Sequence, residues 1–449
     1  MRLKEAVMRF KCLGFILILF CSLNLSAQSL FEEAEKGEDQ DKAFEINGYL
    51  RSALYLGKVP DRDLADMKSG YGEFSLKLKA SKGSFGSAFA EVRFRRGYEF
   101  NDYLSEINLR EAYVSAYVGP FDFRIGHQIV AWGRADGINP TDNITPKNML
   151  ARSPDEDDRR EANFLLRAFF NAHPVRIELI WVPLFRSSVV PTNLIPFPPE
   201  VALGDPDYPD ARLKNSAVAA KLNLELAAFD GSISFFNGYS LFPGISFAPP
   251  DPSDPIGAIS IRLESYRMNV FGADFSTTVA GSFGLRGEIA YRNPVEDQWS
   301  FHVPNPELQY VLGIDKEFPG NFSLIFQYIG KHVFDFVPFP DPFGMPMPSE
   351  IYELELKNRI ISSQLYEDTH SLSCRLGWNL LHETLNLEIV GLANFTTEEF
   401  LFRPKMAYDI TDALTVTLGG ELYSGPNDTL FDFIEDHLSS LFAELRISF

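Results

Sequence analysis

Cysteine is almost absent from this chain: Cys12, Cys21 and Cys374 are the only three in 449 residues. That is too few for a disulfide framework or a cysteine-rich zinc site. Bases are outnumbered, with 41 Lys and Arg against 61 Asp and Glu and a formal net charge of −20. Such a balance repels phosphate backbones and argues against a nucleic-acid partner. Beyond Leu25 there is no apolar run approaching the ~20 residues of a membrane-spanning helix. The best, Leu179 to Phe185, is broken by Pro183. The seven histidines (127, 173, 302, 332, 370, 382 and 437) are scattered, and neither H-E-x-x-H nor G-x-S-x-G occurs. No enzyme chemistry is therefore expected. What the chain does have is apolar surface to bury, 45% hydrophobic and 14% aromatic, so it is not a disordered polymer.

Residues 1–27 read as an export signal. Arg2, Lys4, Arg9 and Lys11 form a basic head, Cys12 to Leu25 an apolar core, and Leu25-Ser26-Ala27 a small-residue cleavage site before Gln28. Its removal takes away four bases and one acid, Glu5, leaving a still more acidic chain with Cys374 as its single thiol. Residues 28–42 form a short acidic stub (Glu32, Glu33, Glu35, Glu38, Asp39, Asp41), which leaves no room for a plug domain.

From residue 43 to the end, apolar and polar residues alternate in runs of 8–12. Phe74, Leu76, Leu78 and Ala80 stand against Glu73, Ser75, Lys77 and Lys79; Ala90, Val92 and Phe94 against Glu91, Arg93 and Arg95. Period two is the mark of a strand with one greasy and one polar face. Eighteen such segments can be counted, from 44–56 through 71–82 and 367–381 to 438–449. Eight tight turns, such as Lys82-Gly83, Gly119-Pro120 and Pro319-Gly320, alternate strictly with nine longer connections. In a soluble sandwich the greasy faces would meet across a core. The alternation of short and long connections favours instead an all-β, transmembrane antiparallel β-barrel of about 18 strands, with 16 the next count, carrying short periplasmic turns and long extracellular loops. The expected location is the bacterial outer membrane, with lipid around the wall. Leu445, Ile447 and Phe449 close the chain in an alternation that resembles the C-terminal signal read by the barrel-assembly machinery.

The polar rows carry both signs: Lys77, Arg93, Arg95, Arg124, Arg167, Arg176, Arg286, Arg292 and Arg375, with Glu73, Glu91, Glu111, Glu178, Asp274, Glu288, Glu388, Glu421 and Glu444. These suit either a water-filled pore with a transverse field or neighbouring strands paired by charge. The most distinctive stretch is Arg124-Ile-Gly-His-Gln-Ile-Val-Ala-Trp-Gly-Arg-Ala-Asp-Gly-Ile-Asn-Pro-Thr-Asp-Asn143. Its order, G-x-Q, W-G, then D-x-x-N-P-x-D-N, resembles the DUF1302-like and porin-like outer-membrane barrel families, with His127 where that pattern more often has Arg. Trp181 to Arg186 is similar to a second patch of the same group. The resemblance implies a porin-like channel for passive diffusion of small polar solutes.

Physically, Gly133, Gly137 and Pro140 force an irregular path after strand five, so the connection 132–160 is a candidate constriction. Arg134 is a candidate to project into the lumen. Asp136, Asn139, Asp142 and Asn143 either cap turns or gather hard oxygens for calcium, with Asp136 and Asp142 the metal candidates; no other cofactor is expected. Asp155 to Asp158 with Arg159 and Arg160 reads as a solvated face of this loop. Three proline-rich connections (185–212, 241–252, 334–349) need not pair as strands; they are expected to pack on one another, or else to form a greasy approach for hydrophobic compounds. Residues 351–366 alternate again and read as a surface ribbon extending strand fourteen. Alternatives to the polar channel are a channel for hydrophobic compounds and an occluded adhesin or structural barrel. Wide porins are commonly trimers, so a homotrimer is among the states expected.

Overall fold

The alternating segments pair edge to edge until the last meets the first. A computed structural model describes residues 44–58, 65–100, 102–190, 201–249, 259–295, 300–339 and 349–449. The export signal, the acidic stub and the prolines at 196–199, 250, 340 and 348 lie outside the described residues. In chain order the strands are β1 (Phe44–Lys58), β2 (Ala65–Lys82), β3 (Gly86–Glu99), β4 (Asp102–Val118), β5 (Phe121–Gln128), β6 (Asn163–Ala172), β7 (Val175–Val182), β8 (Val201–Leu203), β9 (Ala217–Glu225), β10 (Phe229–Tyr239) and β11 (Gly244–Phe247). They continue as β12 (Ile259–Glu264), β13 (Arg267–Val279), β14 (Phe283–Pro294), β15 (Glu307–Phe318), β16 (Phe322–Val333), β17 (Asp368–Leu380), β18 (Leu385–Asn394), β19 (Glu399–Thr411), β20 (Leu414–Ser424) and β21 (Ser440–Ser448). All but β8, β11 and β12 belong to one 18-stranded antiparallel sheet, closed where Tyr49–Leu56 of β1 pairs with Leu441–Ser448 of β21. Gly48 and Phe449 exchange both backbone hydrogen bonds at 3.0 Å, and the Phe449 ring stacks on Phe74. Leu445, Ile447 and Phe449 all face outward and are exposed.

The barrel is inside-out relative to a protein that folds in water. On β1, Leu50, Leu54 and Leu56 are 54, 40 and 44% exposed, while the alternate row, Tyr49, Arg51, Ala53 and Tyr55, is exposed by 5% or less. A row of exposed leucines around a closed wall is what a hydrocarbon environment stabilises and water does not. Both described chain ends lie on the side of the short turns, because the strand count is even.

All eighteen expected barrel strands are present. The largest boundary differences are at β2, which begins at Ala65 rather than 71, and β4, which begins at Asp102 rather than 107. These added residues sit at the long-loop end, where strands pair beyond the greasy belt and alternation is no longer required.

One expectation fails outright. The segment read as a ribbon at 351–366 is a helix, Ser349–Ser362. Its composition explains this: Glu353–Lys357 and Glu355–Arg359 make i,i+4 ion pairs at 3.0 and 2.8 Å, and Leu354, Leu356 and Ile360 are buried. The described parts of the proline-rich loops do pack on one another, and they also pair: β8, β11 and β12 form a separate three-stranded sheet on which the helix sits through Leu354 and Ile361. Asn358 completes the junction by trading hydrogen bonds with the backbone N–H and C=O of Ile245. A second helix, Leu430–Leu438, caps the long connection between β20 and β21.

Candidate functional site

The connection between β5 and β6, residues 129–162, does not stay outside. It crosses the lumen and is held from most sides. Its start is fixed by Gln128, fully buried, which donates to the Leu165 carbonyl at 3.0 Å, and by Glu111, which accepts from the Ile129 N–H at 2.9 Å. Val130 and Thr145 then tie the two arms of the loop together, backbone to hydroxyl, at 2.7 and 2.8 Å.

The first arm lies dry against one wall. Val130, Trp132 and Ile144 pack on inward-facing Leu165, Ile180, Val182, Ala219, Phe236, Val270 and Ala290 of β6 to β14. Here both faces of the sheet are apolar, outward to lipid and inward to the loop. The Trp132 indole donates to Glu178, which also holds Arg167. Beyond it the chain turns on a single carboxylate. Glu288 of β14 accepts from the backbone of Arg134, Ala135 and Thr141 and from the Thr141 hydroxyl, at 2.7–3.3 Å. Such bonds to a charged acceptor are individually strong. Gly133 makes this approach possible: its φ is +106°, and a Cβ there would lie 2.6 Å from the Glu288 carboxylate. Replacing Glu288 by Ala should weaken loop docking by about 3 kcal/mol. The check is tryptic cleavage after Arg134, expected to accelerate in the folded variant; unchanged cleavage would dismiss Glu288 as the anchor.

The second arm is held by charge. Asp158 accepts from Arg51 of β1 at 2.7 Å, from Arg93 of β3 at 2.6 Å and from the Ser153 hydroxyl. Arg110 of β4 reaches the Asp157 and Asp158 carbonyls. Arg152 donates to the carbonyls of His437 and Leu438 at the end of the helix Leu430–Leu438 and pairs with Glu421 at 3.6 Å. Arg159 also meets Glu421, and Glu156 pairs with Arg403 of β19. Between the arms, Asp136 pairs with Arg375 of β17 at 2.7 Å.

The run 155–160 is only in part the solvated face that its composition suggested. Asp155, Glu156 and Asp157 are exposed, Asp157 most strongly at 81% of its side chain, whereas the Asp158 side chain is buried, and Glu156, Arg159 and Arg160 pair across the lumen or within the loop. Asp136 and Asp142, the calcium candidates, each face a guanidinium, Arg375 and Arg160. No group of three or more metal-binding side chains occurs among the described residues. Asn139 and Asn143 act in turns: the Asn139 carbonyl accepts from Asp142 N–H, and the Asn143 amide donates to the Pro140 carbonyl. Arg93 and Arg95 share one cluster through Glu73 and Asp158; Arg134 projects inward to Asp274 at 2.6 Å. Arg124 stands apart on the wall, donating to Ser115 and lying over Tyr113.

Four arginines escaped sequence reasoning. Arg51, Arg152 and Arg403 were legible in principle by parity or by loop position. Arg110 was not, because a β-bulge opposite Glu91/Val92 turns both Arg110 and Glu111 inward.

Burial works against the charged form of Asp158, but the Arg51 and Arg93 guanidinia and the Ser153 hydroxyl outweigh it, so its carboxyl is held well below the ordinary carboxylate range. A group depressed in the docked state stabilises docking fully above its ordinary pKa of ~4 and loses that contribution as pH falls through the docked value. Loop protection against hydrogen exchange should thus be flat from pH 7 to 5 and decline only in stronger acid. Asp158→Asn should abolish that acid step; a decline already between pH 7 and 5 would contradict the assignment.

Space remains beside the loop. A cavity of ≈ 330 Å³ on the long-loop side is lined by Arg292, Glu307, Lys331 and Lys147. It shares Gly137, Ile138, Asn139 and Lys147 with a second cavity of ≈ 540 Å³ that lies between the loop and β17 to β19, lined there by Arg375, Glu388, Arg403 and Lys405. The two form one polar crevice along the inserted loop.

No protein-family model and no curated protein matches the chain. Solved structures do match in fold. Pseudomonas aeruginosa OpdL superposes with a TM-score of 0.51 at 10% identity, over 90% of this chain and 98% of that one. Acinetobacter baumannii OccAB3 gives 0.51 at 11% over 90% and 98%, and P. aeruginosa OccK3 (OpdO) 0.51 at 10% over 90% and 95%. At these identities the likeness establishes the closed 18-stranded barrel and nothing finer. The resemblance to DUF1302-like proteins rests on its short motifs alone.

Proposed function

We propose that this chain is an outer-membrane channel through which small polar solutes diffuse, narrowed by the inserted loop 129–162. The observation that carries the reading is the polar crevice beside that loop, inside a barrel whose outer surface is greasy. Lipid surrounds the wall, residues 1–27 direct export, and the outward row Leu445, Ile447 and Phe449 serves as the assembly signal. No step of chemistry on the solute belongs to this reading.

The test is single-channel recording of the refolded protein in a planar lipid bilayer. Discrete conductance steps that scale with bulk salt are expected. Silence from a protein whose heat-modifiable gel mobility reports a folded barrel would defeat the reading. It would favour the second one, an occluded surface barrel, for which the many-sided docking of the loop is the supporting observation. Hydrophobic compounds fit less well, since the apolar part of the lumen is already filled by Val130, Trp132 and Ile144.

A further inference from the structure

The crevice has two unlike sides. On the wall, Arg375, Arg403 and Lys405 project into it against a single carboxylate, Glu388, which bridges Arg375 at 2.8 Å and Lys405 at 2.9 Å. Three cations against one anion leave the wall two positive charges in surplus. Of the four carboxylates with which the inserted loop lines this part of the crevice, Asp136, Asp155, Glu156 and Asp157, two reach the wall cations. Asp136 reaches Arg375 at 2.7 Å, and Glu156 reaches Arg403 and, at 4.0 Å, Arg375. Glu421 also touches Arg403 at 3.2 Å, but it is buried, does not line the crevice, and already faces Arg152 and Arg159 of the loop.

We propose that Asp136 and Glu156 are the residues that set the charge preference of the channel: each ties one wall arginine across the crevice, and together they neutralise the wall. This rests on the reading of the barrel as a channel. Without the two carboxylates, Arg375, Arg403 and Lys405 would face a passing solute with Glu388 as the one wall carboxylate lining the crevice beside them. In a narrow, low-dielectric passage, uncompensated charge acts on ions far more strongly than it does in bulk water. Both carboxylates are about a quarter to a half exposed, so they face the solute path rather than a sealed core. They also hold the loop to the wall, so their loss widens the crevice as well as changing its sign.

The experiment is the reversal potential in a potassium chloride gradient, measured on wild type, on Asp136→Asn/Glu156→Gln and on Arg375→Gln/Arg403→Gln, each verified as folded by heat-modifiable mobility. The first variant should raise the chloride-to-potassium permeability ratio about threefold or more, and the second should lower it by a similar factor. A conducting wild type whose reversal potential is unmoved by either pair, or moved in the same direction by both, overturns the inference while leaving the channel standing. A silent wild type that stays silent in both variants overturns the channel reading and the inference with it.

Discussion

Deleting residues 136–150 raises the single-channel conductance about threefold or more, because an 18-stranded barrel freed of its central obstruction is a wide aqueous lumen. The segment removed contains Thr141 of the Glu288-bound turn, Asp136 and Asp142, but spares the second anchoring cluster, since Arg152 and Asp158 remain. No strand of the barrel loses a backbone partner, as the deletion falls between β5 and β6. The wall groups it strands, Glu288, Arg292 and Arg375, are left facing water rather than a dry core, so their exposure costs little. The exception is the apolar wall patch around Ile180 and Phe236, which loses Ile144 but keeps Val130 and Trp132. Folding should therefore survive while conduction changes greatly. An unchanged conductance in a folded deletion variant would mean that current does not pass beside this loop.

How much of this was legible in the sequence depends on which physical constraint governed each segment. The eighteen barrel strands were, because lipid outside and water inside impose period two with no relief along the whole membrane thickness. Their order was also legible, since each follows its neighbour by a turn or a loop. Where that constraint ends, reading fails. At 351–366 the alternation of Tyr352, Leu354 and Leu356 with Glu353 and Glu355 was compatible with both a strand and a helix, and the i,i+4 pairs Glu353–Lys357 and Glu355–Arg359 favour the helix. On the inner wall of β6 to β14, Ile180, Val182, Phe236 and Val270 are apolar where a lumen should be polar; their partners, Trp132 and Ile144, lie in a loop whose path no local pattern records. The glycines and Pro140 announced an irregular route after β5 but not where it led. In the acidic run 155–158 the docking of Glu156 and Asp158 was missed for the same reason: their partners, Arg51, Arg93 and Arg403, are distant in sequence and reach them only once the barrel has closed.

Arg51→Met should cost the largest share of stability of any single substitution in the lumen. The Arg51 side chain is 1% exposed and lies where three carboxylates converge: Glu73 at 2.7 Å, Asp158 at 2.7 Å and Glu444 at 3.6 Å. These come from β2, the inserted loop and β21, so one guanidinium joins the barrel seam to the constriction. Methionine matches much of the volume but removes the charge, and breaking a buried pair from one side typically costs about 3–5 kcal/mol. Arg93 and Arg95 remain to pair with Asp158 and Glu73, which places the expected loss at the lower end; Glu444 keeps no cation as close. The measurement is the temperature at which the folded band is lost on heat-modifiable gels, which should fall clearly at pH 7. The sign with pH follows from what is left behind. Without Arg51 the three carboxylates repel one another, and protonating one relieves the repulsion, so the gap between variant and wild type should narrow as pH is lowered toward 4. Arg51→Lys keeps the charge but cannot span Glu73 and Asp158 at once, and should lie between the two. A variant that melts with wild type at pH 7, or a gap that widens in acid, would show that the seam is held by its backbone ladder and not by this charge.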